Sequence, residues 1–326
     1  MKVPRRATRR PGRRAGTLAP LLDRFQRGFE VAPRLLADPV EFPRRYADPG
    51  DVEVAGLLAA CLAYGRADLF KGKVASVLEA GGPSPAAFAD RLARHPDPGA
   101  LPGFRYRFNS GEDVAALLAA AGWMRSRHGS LGARFAGLLG EAVGAASPLR
   151  DALTRFAAEL REAPPARTIL AARGGRGLRH LCPDPAAGGA AKRWNLYLRW
   201  MVRGPDGVDL GIWRGVPPAA LVIPLDTHVA RVSRRLGLTR RKDLSWRTAE
   251  EITAALRIAD PDDPVRFDFA LCHLGMSGGC PPRRSPVRCA ECRLLAGCEA
   301  GGRGAPPTGP ASPAARGSRS ARAGRS

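Results

Sequence analysis

Four cysteines near the C-terminal end are spaced as metal ligands would be. Cys280, Cys289, Cys292 and Cys298 read C-x8-C-x2-C-x5-C within CPPRRSPVRCAECRLLAGC. Thiolates of a CxxC pair can meet one tetrahedral ion or adjacent irons of one cubane, and the Pro-rich loop lets the first ligand return to them. The other three cysteines, Cys61, Cys182 and Cys272, are expected in the core. The uneven spacing of all seven suits a reduced compartment, and metal rather than a disulfide framework.

A second candidate is a single carboxylate. In LVIPLDTHVARVSRRLGL, residues 221–238, Asp226 is the one acidic residue, followed by His228, Arg231, Arg234 and Arg235. Helix electrostatics alone account for this: an Asp N-cap, a basic last turn and Gly237 as the stop. The apolar LVIP ahead of it would also deliver the carboxylate from a buried lead-in, a setting that holds a reactive group in place and adjusts its basicity. A third candidate is CPDPAAGGAAKRWNLYLRWMVR, residues 182–203, where a Pro- and Gly-rich turn runs into a helix with Lys192 and Arg193 in its first turn. Amides at such a helix start attract anions, and adjacent cations strengthen the attraction. The same helix is expected to turn Trp194, Tyr197, Leu198 and Met201 inward.

The elements that must carry these residues read as helices. SPAAFADRLARH and SPLRDALTRFAAEL each open on Ser then Pro, at Ser84 and Ser147, and Ser110 stands three residues before Asp113 as in a capping box. Asp263 before Pro264 is expected to open DPVRFDFALCHL in the same way. Residues 52–64, VEVAGLLAACLAY, are apolar nearly all round and should lie in a bundle centre. The amphipathic ADLFKGKVASVLEAGG follows, after a tight break at Tyr64 to Arg66 that serves as a plain turn or as a DNA contact. Alternating β-branched runs are nearly absent, so the class is all-α, with about ten or more helices.

Charge points to a polyanionic partner. The chain carries a net +22, with seven positive charges in its first 16 residues and five Arg against one Glu after Cys298, so the part between is basic too. Such an excess favours nucleic acid through counterion release, although Lys occurs only five times and an Arg-rich coding bias would add charge without a partner. No stretch approaches the roughly 20 apolar residues of a membrane span, and the basic N-terminus lacks the apolar core of a signal peptide. The organisation expected is a basic disordered tail over 1–20, a two-lobed helical region over 21–298 and a disordered Arg/Gly/Pro tail over 299–326.

The order LDTHVARVSRRLGL, one intervening helix, DFALCHLGMSGGC and then CAEC with a further Cys resembles the C-terminal half of endonuclease III, in the helix-hairpin-helix DNA glycosylase superfamily. VEVAGLLAACLAYGRADLF is similar to that family's early helix pair, whose turn supplies a side chain that fills the gap left by a flipped base. The resemblance spans roughly residues 50–298 and is specific over 221–298; KRWNLYLRWMVRGPDGVDLGIW and PLDTHV are most similar to a bacterial branch. It implies a glycosylase-like fold with a C-terminal iron-sulfur loop, Asp226 as the required aspartate and Lys192 in the place of the lysine of bifunctional members. The chain departs from the pattern in three ways. GGAAKR stands where an LPGVG hairpin belongs, 34 positions separate Lys192 from Asp226, and the first cysteine spacing is longer than in endonuclease III.

The expectation is therefore a base-excision repair enzyme acting on damaged double-stranded DNA as a monomer, cytoplasmic and nucleoid-associated. Asp226 and Lys192 are its catalytic residues, and Tyr64, Arg66, Arg193, His228, Arg231, Arg283, Arg284 and Arg288 contact DNA. A [4Fe-4S] cluster sits on Cys280, Cys289, Cys292 and Cys298, with zinc as the alternative. The rival reading is a non-catalytic DNA- or RNA-binding protein in which Asp226 only caps its helix.

Overall fold

The structure, a computed structural model, describes residues 12–299. The sequence reading of residues 1–11 and 300–326 as tails lies outside these described residues.

Helix α1 (Gly12–Arg27) begins within the expected basic tail, so the helical region starts before residue 21. Leu18, Leu22 and Phe25 recur at helical spacing and are buried, which holds this segment on the body. After the short α2 (Ala32–Leu35), Asp48 and Pro49 start α3 (Pro49–Leu62), where residues 52–62 are all buried. A helix apolar on every side must be enclosed, and α3 is the central rod expected from its sequence.

Helix α4 (Ala67–Gly81) follows a break at Tyr64–Arg66, and α5 (Pro85–Arg94) is capped by Ser84, whose hydroxyl accepts from Ala87 N. Two residue pairs, β1 (Arg105–Tyr106) and β2 (Asn109–Ser110), form an antiparallel hairpin. The capping box of Ser110 and Asp113 then starts α6 (Gly111–His128), which packs on α5. The chain continues through α7 (Leu131–Glu141), α8 (Pro148–Glu162), α9 (Pro164–Ile169) and α10 (Arg176–Leu181). Then come α11 (Lys192–Val202), α12 (Thr227–Leu236), α13 (Trp246–Arg257), α14 (Asp268–Met276) and α15 (Pro286–Ala290). The described residues are thus mostly helical, with their buried apolar side chains in one continuous cluster.

Two expected caps serve other purposes. The Ser147 hydroxyl donates to Glu250 Oε1 at 2.7 Å instead of capping α8. Asp263 does not open a helix, because Arg203 Nε holds both its oxygens at 2.8 and 2.9 Å; α14 starts five residues later, at Asp268. Arg203 belongs to a buried ionic layer beneath α11, where Arg199 and Arg203, one turn apart, share Asp209. Removing one partner from such a layer costs about 3–5 kcal/mol, since the other charge is left buried and alone.

Candidate active site

Asp226 stands at the end of a buried lead-in, residues 221–225. Ile223 N donates to Thr253 Oγ1 on α13 at 3.0 Å, which fixes the lead-in so that Asp226 arrives in a set position. The carboxylate then divides its work. Oδ1 accepts from His228 N and Val229 N, both at 2.8 Å, and caps α12. Oδ2 faces away from the cap, 3.8 Å from Lys192 Nζ and 3.8 Å from Cys272 Sγ.

Lys192 is the first residue of α11, and Ala191 before it takes a left-handed conformation, φ 48° and ψ 35°. A non-glycine residue there is strained by roughly 1–3 kcal/mol, and the strain is held where it turns Lys192 toward Asp226. Cys272 comes from α14, which lies so close to α12 that a Cβ on Gly275 would stand 2.8 Å from His228 Cβ. Only glycine permits this approach. Burial pushes the Cys272 thiol well up, and the Asp226 and Asp268 carboxylates push it further; it stays protonated and donates to Asp226 Oδ2.

These groups line a cavity of about 320 Å³, within the usual size range for small-ligand sites. Lys192, Leu196 and Arg199 enter it from one face of α11, and Asp268, Cys272 and Met276 from one face of α14, at the spacings that bring helical side chains onto one stripe. Asp38, Phe70, Pro224, Phe269 and the α3–α4 turn close the rest. Burial pushes the Asp38 carboxyl up, but its hydrogen bond to His273 and the Arg199 charge outweigh burial and hold it below the ordinary range. Burial pushes the Asp268 carboxyl up to about 6 against the pull of Arg199, with Asp226 adding to the rise. Four larger depressions, of about 480 to 600 Å³, lie elsewhere among the described residues, and none contains a lysine beside a carboxylate.

The remaining candidates divide between cavity, frame and surface. Arg66 lines the cavity, is exposed and pairs with Asp68 at 2.6 Å. His228 also lines it. Tyr64 is part of the frame: its hydroxyl donates to Asn109 Oδ1 at 2.7 Å, and its ring packs 4.7 Å from both Tyr106 and His180. Arg193 is spent internally, donating to Cys61 O at 2.7 Å and to His180 O. Arg231 ties α12 to the cysteine segment through Cys280 O and Gly275 O, each at 2.9 Å. Arg283, Arg284 and Arg288 are exposed.

The sequence reading missed Asp38, Arg199 and Asp268 at the cavity; Cys272 packs against the core as expected and, beyond that expectation, also reaches Asp226. It also missed the β1–β2 turn, where Arg107 has φ 48° and Phe108 is 73% exposed. Gly65, at φ 82°, gives that turn its seat, since a Cβ there would meet Tyr106 Oη at 2.8 Å and Arg107 at 3.1 Å. The Arg107 side chain thus lies against a residue of the cavity wall.

A family described as Protein of unknown function (DUF2400) matches residues 38–277. The chain belongs to that family. Its match takes in every cavity residue except Ala37 and stops short of Cys280. No curated protein and no solved structure matches the chain.

The four cysteines outside the match form no disulfide. Burial pushes the Cys292 thiol up, and Cys280, Cys298 and Cys289 add to the rise, so those three lie within electrostatic reach of Cys292. Arg235 Nη1 stands 3.2 Å from Cys280 Sγ, a donor aimed at sulfur. Among the described residues, no group of three or more His, Cys, Asp or Glu side chains is placed to hold a metal ion.

Proposed function

We propose that this chain is a DNA base-excision enzyme of the helix-hairpin-helix glycosylase type that takes a flipped base into the cavity at Asp226 and cleaves its N-glycosidic bond. The observation that carries the reading is the division of labour within one carboxylate. A pure cap needs Oδ1 alone, whereas Oδ2 of Asp226 is held toward an amine and a thiol inside a cavity large enough for a base.

The chemistry follows from these positions. A base cannot be reached inside the stack and must be turned out, which costs least where its pairing is already weak. As the C1′–N bond breaks, its electron pair leaves with the base and positive charge grows on the sugar. Asp226 Oδ2 stabilises that charge and takes the proton of the attacking group. If water attacks, the product is an abasic site. If Lys192 attacks, it first gives a proton to Oδ2 and then bonds to C1′; the C1′–O4′ bond then opens, O4′ takes the proton back from Oδ2, and the Schiff base so formed opens the route to strand cleavage. The hairpin turn offers a second element to such a reading: Phe108 is exposed there, packed against His180 and preceded by Arg107, whose side chain lies against Gly65 of the cavity wall, so Phe108 is a candidate wedge for the vacated stack.

By residue type the cysteine segment suits a structural [4Fe-4S] cluster, four thiols with an Arg beside one of them, although the four are not gathered into a site in this structure. Cys280, Cys289, Cys292 and Cys298 would hold it, and it would fix the loop bearing Arg283, Arg284 and Arg288 against phosphates. Zinc is the alternative, and visible absorption of anaerobically purified protein distinguishes the two.

The test is an incision screen of the full chain over duplexes that each carry one damaged or mismatched base, resolved with and without alkali. Release of at least one base is expected. Binding to these duplexes without release or incision of any would leave a nucleic-acid-binding protein in which Asp226 is a cap.

A further inference from the structure

Away from the Asp226 cavity, the chain gathers arginines that have little to pair with. From Ala163 to Pro183 it carries four, Arg167, Arg173, Arg176 and Arg179, and no acidic residue. All four are exposed, as are Arg105 and Arg107 of the β1–β2 hairpin. Arg173 pairs with Glu112 at 3.3 Å. Among the described residues, Arg105, Arg167, Arg176 and Arg179 make no hydrogen bond or ion pair.

These cations are grouped around one aromatic ring. Arg105, Arg173 and Arg176 line a depression of about 480 Å³ together with Phe108 and His180. Arg167 and Arg179 line a second depression, and the two meet at Gly174. With Arg161 the walls carry six arginines against three carboxylates, Asp113, Glu162 and Asp184, so positive charge is left over for a ligand. The hairpin is fixed to α10 by buried Asn109, whose Nδ2 donates to Gly177 O at 2.9 Å while its Oδ1 accepts from Tyr64 Oη at 2.7 Å. His180 Nδ1 lies 3.1 Å from the same Oδ1, and its ring stands 5.3 Å from that of Phe108, tilted by 64°. The Phe108 ring is thus held in place from one side while 73% of the residue stays open to solvent.

A lone exposed Phe needs no explanation; one held among unpaired guanidiniums does. Guanidiniums can only donate, so the complement of this face is a ligand with repeated anions and a flat apolar surface. A strand of unpaired nucleotides has both, phosphates for the arginines and a base face for the ring. In a duplex the base faces are covered by the stack, and one ring is too little apolar surface to seat in a lipid layer.

We propose that the face between the β1–β2 hairpin and the α9–α10 loop is a second nucleic-acid site, which takes an unpaired strand with a base on Phe108 and phosphates on Arg105, Arg173 and Arg176. It uses none of the residues that line the Asp226 cavity and does not require the chemistry there. On a duplex Phe108 would act as the wedge; on an unpaired strand the same ring is a platform.

The experiment measures binding of the full chain to two undamaged single strands of equal length and charge, oligo(dT) and an abasic tetrahydrofuran backbone, by fluorescence anisotropy over a range of salt. Oligo(dT) is expected to bind about tenfold more tightly, the effect of stacking one base, and Phe108→Ala should bring that ratio near one. Replacing Arg105, Arg173 and Arg176 together by Gln should flatten the slope of log affinity against log salt by about two, at about 0.7 per phosphate contact. Oligo(U) run alongside tells an RNA strand from a DNA strand, both within the class proposed. Equal binding of the two strands by the wild type, or a ratio that survives Phe108→Ala, overturns the platform, and the first of these decides without any variant. An unchanged salt slope in the arginine variant overturns the phosphate track. Binding of a poly-glutamate peptide as tight as that of oligo(dT), and equally weakened by the arginine variant, makes the face a docking site for acidic protein instead. Neither strand carries a damaged base, so the result is separate from that of the incision screen.

Discussion

Helices α3 and α12 begin alike and differ in what lies behind their first residue. Asp48 Oδ1 accepts from Gly50 N and Asp51 N at 2.9 and 3.1 Å; Asp226 Oδ1 accepts from His228 N and Val229 N at 2.8 Å. Both residues are extended at the cap, and both satisfy two of the amides that every helix start leaves open. Asp48 is exposed. Asp226 has its second oxygen before Lys192 and Cys272 in a cavity. The local hydrogen bonds are therefore the same in a plain cap and in a candidate catalytic group. What separates them is the setting of the oxygen that the cap does not use.

The largest effect is expected from treating the two caps identically. Asp→Asn retains a capping oxygen at either site, so both variants should unfold within about 1 kcal/mol of the parent. Asp226→Asn should still bind DNA but lose about 100-fold or more in base release, as removal of one charged group from an active site does. Asp48→Asn should release base at the parental rate. Equal, parental rates from the two would reduce Asp226 to a second Asp48.

A narrower change comes from the amine. Lys192→Ala is expected to abolish borohydride trapping on DNA while base release falls by no more than about tenfold, because Asp226 can still activate water. Loss of both together would make the amine, and not water, the attacking group.

The smallest effect is one of pH. Asp268, faced by Arg199, Lys192, Asp226 and Cys272, is raised to about 6 chiefly by burial. Since the folded value lies above the roughly 3.9 of an unfolded Asp, this residue's contribution to folding is fullest below that value and is lost as pH rises through about 6. Asp268→Asn should remove that part of the pH dependence of thermal unfolding between about pH 4 and 7; an unchanged profile would place the dependence on another group.

Much of the frame was legible because it depends on neighbours in sequence. Ser84, the Ser110–Asp113 box, the all-round apolar α3 and the stop at Gly237 are each set within a few residues, and they stand where local rules put them. Asp226 stood out for a similar reason, as a lone acid in a basic run. Arg199 and Asp268 did not, because an Arg on an amphipathic helix and an Asp in a first turn are ordinary in any local window. Their roles arise where the inward stripes of α11 and α14 meet across dozens of residues. Asp263 misled for the converse reason: its local signal is that of a cap, and a distant arginine, Arg203, claims it.

The Arg231 guanidinium is within hydrogen-bond reach of three groups: Cys280 O, Gly275 O and the ring of His228, which itself lines the cavity. One side chain thereby joins the cysteine segment to a residue of the cavity wall. Should a ligand in the cavity favour one arrangement of α12, Arg231 would carry the change to the carbonyl of the first cysteine, and the reverse would then hold by thermodynamic necessity. Whatever factor the cysteine segment, once fixed, added to the affinity of the cavity, an occupied cavity would return to the segment, so ligand binding and the integrity of the C-terminal loop would rise and fall together.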